Sequence, residues 1–423
     1  MIRRAAAVGL CLALGGVPAL AESVEFSGYW KSFLSVTDVG AGYRKLGLWD
    51  DGHLADLVER VRLELQYAPV ESLAFGAHYE VRLHWGDTVE FQRRLAESEL
   101  AADLGYAPER PRFMDLEDDL VDDDSVRLAH GLDRLWARWE PDPRCQATIG
   151  RQAVSWGAGL IWSPVDLFAA FAPTEIDRDE KPGVDVVRLV LQPHENLSLD
   201  LVGEPLDLEK HWTANADDSS LAGRLGTHLG EYDLHVCGGI VESDAVFGGD
   251  FSGYLGNAGF HGEVLRTWVD ESDQRDYFRG LVGLDYGFAV AWNPYVALEY
   301  FYNGLGVDDP DDYAARRLDS SVRRVFARGI AYNVGRDYLG GTLRVQPNAL
   351  LTLQATTLAN LNDGRFREFA TLDWSVTENF DLLLGVDVGI GPPGGEFTGW
   401  ESEAAGIAIG VPDLYFLYGK FYF

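Results

Sequence analysis

The sequence predicts an all-β fold: a transmembrane antiparallel β-barrel of about 18 strands, 16 on the lower count, with an inward-folded loop. Three observations predict it. Long segments alternate between apolar and polar residues. Short and long connections take turns along the chain. The sequence finishes on an aromatic strand, DLYFLYGKFYF, ending at Phe423. Composition agrees: with 47% hydrophobic residues the chain is not disordered, and its 47 glycines and 12% aromatic content suit many strands and turns. A net charge of -32 excludes a nucleic-acid binder, which needs a basic face.

The first element is a targeting segment. MIRRAAAVGLCLALGGVPALA sets Arg3 and Arg4 before an apolar stretch and closes with Ala19-Leu20-Ala21, an A-x-A cleavage pattern. Residues 1–21 are therefore expected to be a signal peptide and 22–423 a single barrel domain with long acidic extracellular loops. Loss of Arg3 and Arg4 takes the net charge from -32 to -34. No later run of 18 apolar residues occurs, which excludes helical membrane spans and leaves strands. Cys145 and Cys237 are too few for a disulfide framework.

The strands follow in order. VEFSGYWKSFL, Val24 to Leu34, puts Val24, Phe26, Trp30 and Leu34 on one face. Next, Leu57, Glu59, Val61, Leu63, Leu65 and Tyr67 face one way, and Arg60, Arg62, Glu64 and Gln66 the other. After a turn at Ala68–Ser72, Leu73, Phe75, Ala77, Tyr79, Val81, Leu83 and Trp85 share a parity opposite to His78, Glu80, Arg82 and His84. Such a strand exceeds the roughly 5–6 residues usual in soluble sheets and suits the roughly 9–11 residues of a tilted span. Further short connections fall near Pro141–Arg144, Pro193–Asn196, Gly230–Glu231, Gly256–Ala258, Ala291–Pro294, Pro347–Ala349 and Thr377–Asn379. Long ones occupy 35–56, 87–125, 154–183, 206–218, 304–330 and 390–410, with shorter ones on that side at 242–247, 270–276 and 360–365. Counting between them gives the strand number and places both chain ends at the short-turn end, the even count and end placement of a single-chain bacterial barrel.

In the last strand Tyr415, Leu417, Gly419, Phe421 and Phe423 share a parity. A terminal Phe preceded by apolar residues at alternate positions resembles the carboxyl-terminal strand of bacterial outer-membrane barrels. The resemblance implies recognition by the barrel-assembly machinery, closure against the first strand, and the cell outer membrane as location, with its lipid as a partner. A second stretch, IGRQAVSWGAGLIWSPVDLFAAFAPTEIDRDEKPGVDVVRL, Ile149 to Leu189, resembles a segment of porin-like outer-membrane proteins related to the alginate-export barrels. It covers about a tenth of the chain and fixes no substrate.

Wall side chains cannot fill a barrel this wide, so the polar parity lines water. Arg60, Arg62, Glu64, His78, Glu80, Arg82 and His84 are the clearest lumen residues. Arg151 joins them, and Arg134, Arg138, Arg188, Glu299, Arg344 and Asp387 follow on a less regular parity. Arg138 and Arg188 are expected at the short-turn rim. Turned to lipid, an Arg at the midplane costs about 2–4 kcal/mol, the reason for assigning these inward. The same charges also fit salt-bridge ladders between neighbouring strands.

The loop from Ser155 to Pro182 is apolar for an outer loop, with Trp156, Leu160, Ile161, Trp162, Val165, Leu167, Phe168 and Phe171. Folding it into the barrel hides those rings. Ser163-Pro164-Val165-Asp166 reads as a helix start with Ser163 as N-cap. Asp166, Glu175, Asp177, Asp179 and Glu180 are then expected to oppose basic wall residues across a constriction and to select solutes by charge and size. A sealing plug and an external lid are the alternatives.

Leu116–Asp124 and Asp308–Asp312 are dense in carboxylates but lack calcium-loop spacing and its glycine. They are expected to be solvated, with loosely bound divalent cations at lipid headgroups as the alternative. No cofactor and no catalysis are expected. Gly150, Gly157 and Gly159 make no phosphate loop, and no G-x-S-x-G elbow occurs. His78, His84 and Ser32 are the groups a barrel hydrolase would draw on. The expected function is a channel for passive diffusion or export of small hydrophilic solutes. The alternative is a plugged or scaffold barrel working with an export or envelope-assembly machine.

Overall fold

Alternation sets the architecture. Where apolar residues recur at every second position the chain runs extended, and each strand pairs antiparallel with its neighbour in sequence. The computed structural model describes residues 24–98, 112–173, 175–270, 274–402, 407–409 and 411–423; the expected signal peptide lies outside them. The strands are β1 (Val24–Asp38), β2 (His53–Val70), β3 (Leu73–Gly86), β4 (Glu117–Asp123), β5 (Val126–Asp142), β6 (Cys145–Gln152), β7 (Val184–His194) and β8 (Leu197–Glu204). They continue as β9 (Ser220–Leu229), β10 (Tyr232–Val241), β11 (Asp244–Leu255), β12 (Ala258–Trp268), β13 (Tyr277–Gly287) and β14 (Tyr295–Asn303). Then come β15 (Asp337–Asn348), β16 (Leu351–Asn360), β17 (Arg365–Thr377), β18 (Phe380–Ile390), β19 (Trp400–Ser402), β20 (Ile407–Ile409) and β21 (Asp413–Tyr422).

Eighteen of these strands close a ring, as the sequence predicts. β1 pairs with β2 on one side and β21 on the other, so the ring itself has no edge strand. At the seam, Gly28 and Phe423 exchange backbone hydrogen bonds of 2.9 and 3.0 Å. β4 stands outside the ring, paired with the long-loop half of β5, and β19 and β20 form a separate hairpin.

The two faces are inverted relative to a soluble protein. Trp30, Leu34, Phe75, Trp85, Tyr415, Leu417, Phe421 and Phe423 lie exposed on the outer parity. Inside, Lys31, Arg62, Arg151, Arg279 and Glu299 are at most 2% exposed. Charges buried this far need partners, and the partners lie on the inserted loop and the neighbouring strands.

The long connections carry more structure than the sequence reading allowed. Among the described residues, four α-helices stand where loops were expected: α1 (Gly40–Lys45), α2 (Asp87–Glu97), α3 (Tyr313–Leu318) and α4 (Ser320–Ala327). α1 and α3 are too short for a clear 3.6-residue pattern, whereas α2 and α4 are amphipathic and bury Val89 and Phe91, and Val322 and Val325. Phe91 of α2 sits edge-on to Tyr43 and Trp49, while Val322 and Val325 of α4 pack with Tyr277, Leu305 and Ile330. The Asp319 carboxylate accepts from Ser321 N at 2.9 Å and caps α4. β1 and β2 also run past the expected bounds of the first loop, to Asp38 and from His53.

Candidate functional site

The segment between β6 and β7, residues 153–183, folds into the barrel and meets opposite walls. Its first limb is apolar and packs as the composition demands. Val154, Trp156, Val165, Leu167 and Phe168 join Val186, Val202, Ala222 and Leu265 of the wall. Ile161 and Trp162 join Leu281, Phe301, Tyr338 and Leu358, with the Trp162 and Phe301 rings stacked at 5.2 Å.

Two wall glutamates hold this limb by its backbone. Glu299 on β14 accepts from the N–H groups of Leu160, Ile161 and Trp162 at 2.5, 2.9 and 3.3 Å, and its other neighbour is His261 Nε2 at 2.7 Å. Glu263 on β12 accepts from Ala158 N, Gly159 N and Val165 N at 2.5, 2.7 and 3.1 Å. Loop N–H groups thus find the acceptors that buried backbone requires, and the carboxylates find donors. Glycine makes the close approach feasible. A Cβ on Gly157, whose φ is +101°, would collide with Ser163 Oγ and Glu263, and one on Gly159 with the Trp162 carbonyl. The predicted helix start at Ser163 is absent: Pro164 and Val165 form a turn. The reason is local. Ser163 Oγ donates to Glu263 and to the Trp156 carbonyl, and Glu263 also takes the Val165 N–H, so the groups that would open a helix are engaged by the wall.

The second limb, Asp177 to Lys181, lies against β21, β1, β2 and β3. The register there sets four bases in one cross-strand row: Lys420 faces Lys31, Lys31 faces Arg60, and Arg60 faces Arg82. Like charges directly opposite destabilise a sheet, and carboxylates offset them. Asp177 lies 2.8 Å from Lys31, 3.6 Å from Lys420 and 3.8 Å from Arg60, and accepts from Tyr418 OH at 2.6 Å. Asp179 lies 3.0 Å from Lys31 and 2.8 Å from Lys420. Burial works against ionisation of Asp179, but the two lysines hold its carboxyl below the usual range. Arg60 reaches Glu80 at 2.6 Å, and Arg82 reaches Glu117 at 2.8 Å.

One turn along the sheet, Arg62 is the hub. It contacts Glu64 at 2.8 Å, Glu80 at 2.6 Å, Asp133 at 2.9 Å and Glu180, and donates to His78 Nδ1 at 2.7 Å. Glu80, Asp133 and Glu180 come close enough together to hold a cation, yet the Arg62 guanidinium already bonds all three. The Arg62 guanidinium supplies the positive charge that these three carboxylates face.

The remaining predicted residues scatter. Arg151 pairs with Asp185 at 2.7 Å beside the loop base. Arg134 pairs with Asp133 at 2.5 Å and donates to the Lys181 carbonyl. Arg188 bonds Asp200 at 2.7 Å on the inner face, opposite Thr148 near the β5–β6 turn, and Asp200 in turn accepts from Trp156 Nε1. Arg138 is half-exposed near the short turn, 3.3 Å from Glu140. Arg344 stacks on the Tyr295 ring, and Asp387 pairs with Arg367 at 2.6 Å. Asp166 does not oppose a wall base. It is buried against Lys181 of its own loop, and burial pushes its carboxyl up to about 6 despite that ammonium. Ser32 bonds Glu59 on the outer parity, whereas His78 and His84 face inward, so the three are not brought together. The acidic stretch on β4 is paired in part, Asp119 with Arg127 and Asp122 with Arg93.

Sequence reasoning missed Tyr29, Lys31, Asp133, Tyr418 and Lys420 on the seam side and His261, Glu263 and Arg279 on the other. A signal for Lys31 existed: it sits between Trp30 and Ser32 and so carries the inward parity. Glu263 offers no such signal, because its role is set by a backbone a hundred residues away.

Water-sized space remains around the loop. A cavity of about 560 Å³ is lined by His228, Asp233, His261, Asp285 and Leu160. A second, of about 520 Å³, lies past Leu160 and is lined by Glu175, Arg178, Arg344, Gln354, Thr371 and Lys420. A third pocket, about 180 Å³, reaches toward the long loops and is lined by Arg82, Arg112, Glu117, Glu175 and Asp177.

No protein-family model matches the sequence, and no curated protein matches it. Solved structures share the fold. The outer membrane protein opdK of Pseudomonas aeruginosa superposes with a TM-score of 0.55 at 8% identity, covering 95% of this chain and 99% of that one. OccAB3 of Acinetobacter baumannii superposes with a TM-score of 0.52 at 12% identity, again over 95% and 99%. At that identity the likeness to outer-membrane porins is one of fold.

Proposed function

We propose that the protein is a porin-like channel of the cell outer membrane, passing small hydrophilic solutes by diffusion or export through a charged lumen narrowed by residues 153–183. The observation that carries this reading is the loop itself. It reaches from the β12–β14 wall to the β21–β1–β2 wall and leaves cavities of about 520 and 560 Å³ on one side and about 180 Å³ on the other. A polar lumen with a fixed partition selects by size and charge. In this reading residues 1–21 are removed on export, the apolar outer parity meets lipid, and Phe423 closes the strand that the assembly machinery reads. Purified barrel in a planar bilayer is expected to give step conductance, and removal of residues 158–180 is expected to enlarge the steps. Silence from a well-folded sample would refute the channel.

A second reading is favoured by one specific observation: both limbs of the loop are tied down, one by buried carboxylates and the other by ion pairs. A barrel plugged in this way would serve an export or envelope-assembly machine as a scaffold. It predicts no conductance in the intact chain and conductance only after loop removal.

A further inference from the structure

Resting on the channel reading above, we infer that the inner wall of β15, β16 and β17 is a binding station for neutral polyhydroxylated solutes, sugars and sugar alcohols, passing through the lumen. The inward positions at the short-turn end of β16 are Thr352, Gln354 and Thr356, alternating with Leu353 and Ala355. In the register of the sheet Gln354 lies between Arg344 of β15 and Thr371 of β17, and Thr356 lies opposite Thr342. Thr342, Thr352, Gln354, Thr356 and Thr371 thus form one uncharged patch, and all five line the cavity of about 520 Å³. Thr342 and Thr356 bond each other at 3.0 Å, and Thr352 accepts from Gln346 at 3.4 Å. Among the described residues, the side chains of Gln354 and Thr371 hold no hydrogen bond, so two neighbouring polar groups of the patch are left for a solute.

The chemistry of the patch sets the class of solute. A threonine hydroxyl and a glutamine amide each both donate and accept, which matches a sugar hydroxyl that does the same. The charges around the patch cancel. The cavity is lined by the bases Arg178, Arg344 and Lys420 and by the acids Glu175, Asp179 and Asp373. Lys420 and Asp179 pair at 2.8 Å. The other four, two of each sign, hold no ion pair among the described residues. A lining whose signs cancel gives an ion of either charge no net attraction to offset its lost hydration. A sugar has no charge to desolvate, and the same acids and bases offer its hydroxyls charge-assisted hydrogen bonds. The volume falls within the roughly 300–1,000 Å³ usual for small-molecule sites. A channel must also release what it holds, and hydrogen bonds exchanged with water are each worth little net, so the solute leaves again.

The test uses the full-length barrel in planar bilayers in KCl, with heat-dependent gel mobility checking that each variant is folded. Sorbitol, zwitterionic glycine betaine, dianionic succinate and dicationic putrescine are added in turn, and the association constant of each with the lumen is read from the noise of the open current. Sorbitol is expected to associate about fivefold or more tightly than any of the three charged probes. Gln354→Leu with Thr371→Val removes two hydrogen-bonding side chains at nearly constant volume and charge. It should lower the sorbitol constant by about fivefold or more while the KCl steps persist. Glu195→Gln at the β7–β8 turn should leave the constant unchanged. If the double variant does not fold, Thr371→Val alone and the ranking of probes in the wild type still decide. A charged probe that associates as tightly as sorbitol, or a wild-type sorbitol constant in the folded double variant, would overturn the inference with the channel intact. Absence of steps in the wild type would instead remove the channel reading and this inference with it.

Discussion

Arg62 shows how much one inward parity position can carry. Four carboxylates and a histidine converge on a guanidinium that is 1% exposed. A buried charge set of this kind is weak evidence for net stability, but removing its centre leaves several acids uncompensated. Arg62→Ala is expected to cost about 3–5 kcal/mol, read as a lowered urea or thermal midpoint of the folded barrel. Arg62→Lys should recover little of it, since an ammonium lacks the planar fork that serves several oxygens at once; full recovery would argue that only net charge matters. Asp166 makes a pH prediction. Its folded carboxyl titrates at about 6, above the ordinary 3.8. A raised carboxyl favours the folded state when protonated, so this contribution is full below about pH 4 and is lost as pH rises through 6. Between pH 7 and 5 the wild type should gain stability relative to Asp166→Asn, and parallel pH profiles for the two proteins would contradict that. At this scale the sequence shows a residue's face and leaves its partner hidden. Arg62 and Glu80 read inward from parity alone, but that Asp166 would meet Lys181 across its own loop depends on a fold the spacing does not encode.

The inserted loop was legible as an element because its composition was wrong for an exposed one. Eight apolar residues between Trp156 and Phe171 need cover, and the wall supplies it. Its internal shape was not legible. Ser163-Pro164 carries the chemistry of a helix start, yet a glutamate from β12 outcompetes the helix for the same N–H groups. The two six-residue helices over the long-loop end escaped notice because so short a turn, stabilised by tertiary contacts, carries little periodic signal of its own; α2 and α4 do carry an amphipathic pattern, hidden among the acids of the long loops. The element-scale prediction concerns Glu299. In Glu299→Gln one side-chain oxygen becomes an amide that cannot accept, so part of the Leu160–Trp162 N–H set is left without a partner at about 1–3 kcal/mol. The limb should loosen, giving larger and noisier current steps; steps identical to wild type would mean that the apolar packing holds the loop without it.

For the molecule as a whole, strand number, the alternation of short and long connections and the closing strand were readable because a barrel repeats one rule eighteen times. The ring makes its own prediction. Leu34 and Leu417 are opposed across the seam on the outer parity, so Leu34→Cys with Leu417→Cys should form a disulfide within antiparallel pairing distance, seen as altered mobility of the heat-unfolded chain. Failure to cross-link would place the seam elsewhere. The seam also bears on the timing of folding. Lys31 and Lys420, near opposite ends of the chain, face each other across the final joint, and Asp177 and Asp179, from its middle, touch both. Until that middle segment arrives, the two closing strands meet with like charges opposed, and contacts of such sequence separation form slowly. In the proposed channel the loop is thus a clasp as well as a partition: the last stage of assembly is expected to wait on the centre of the chain, so a slow final phase in refolding should lengthen when Asp177 and Asp179, far from either terminus, are replaced by Asn.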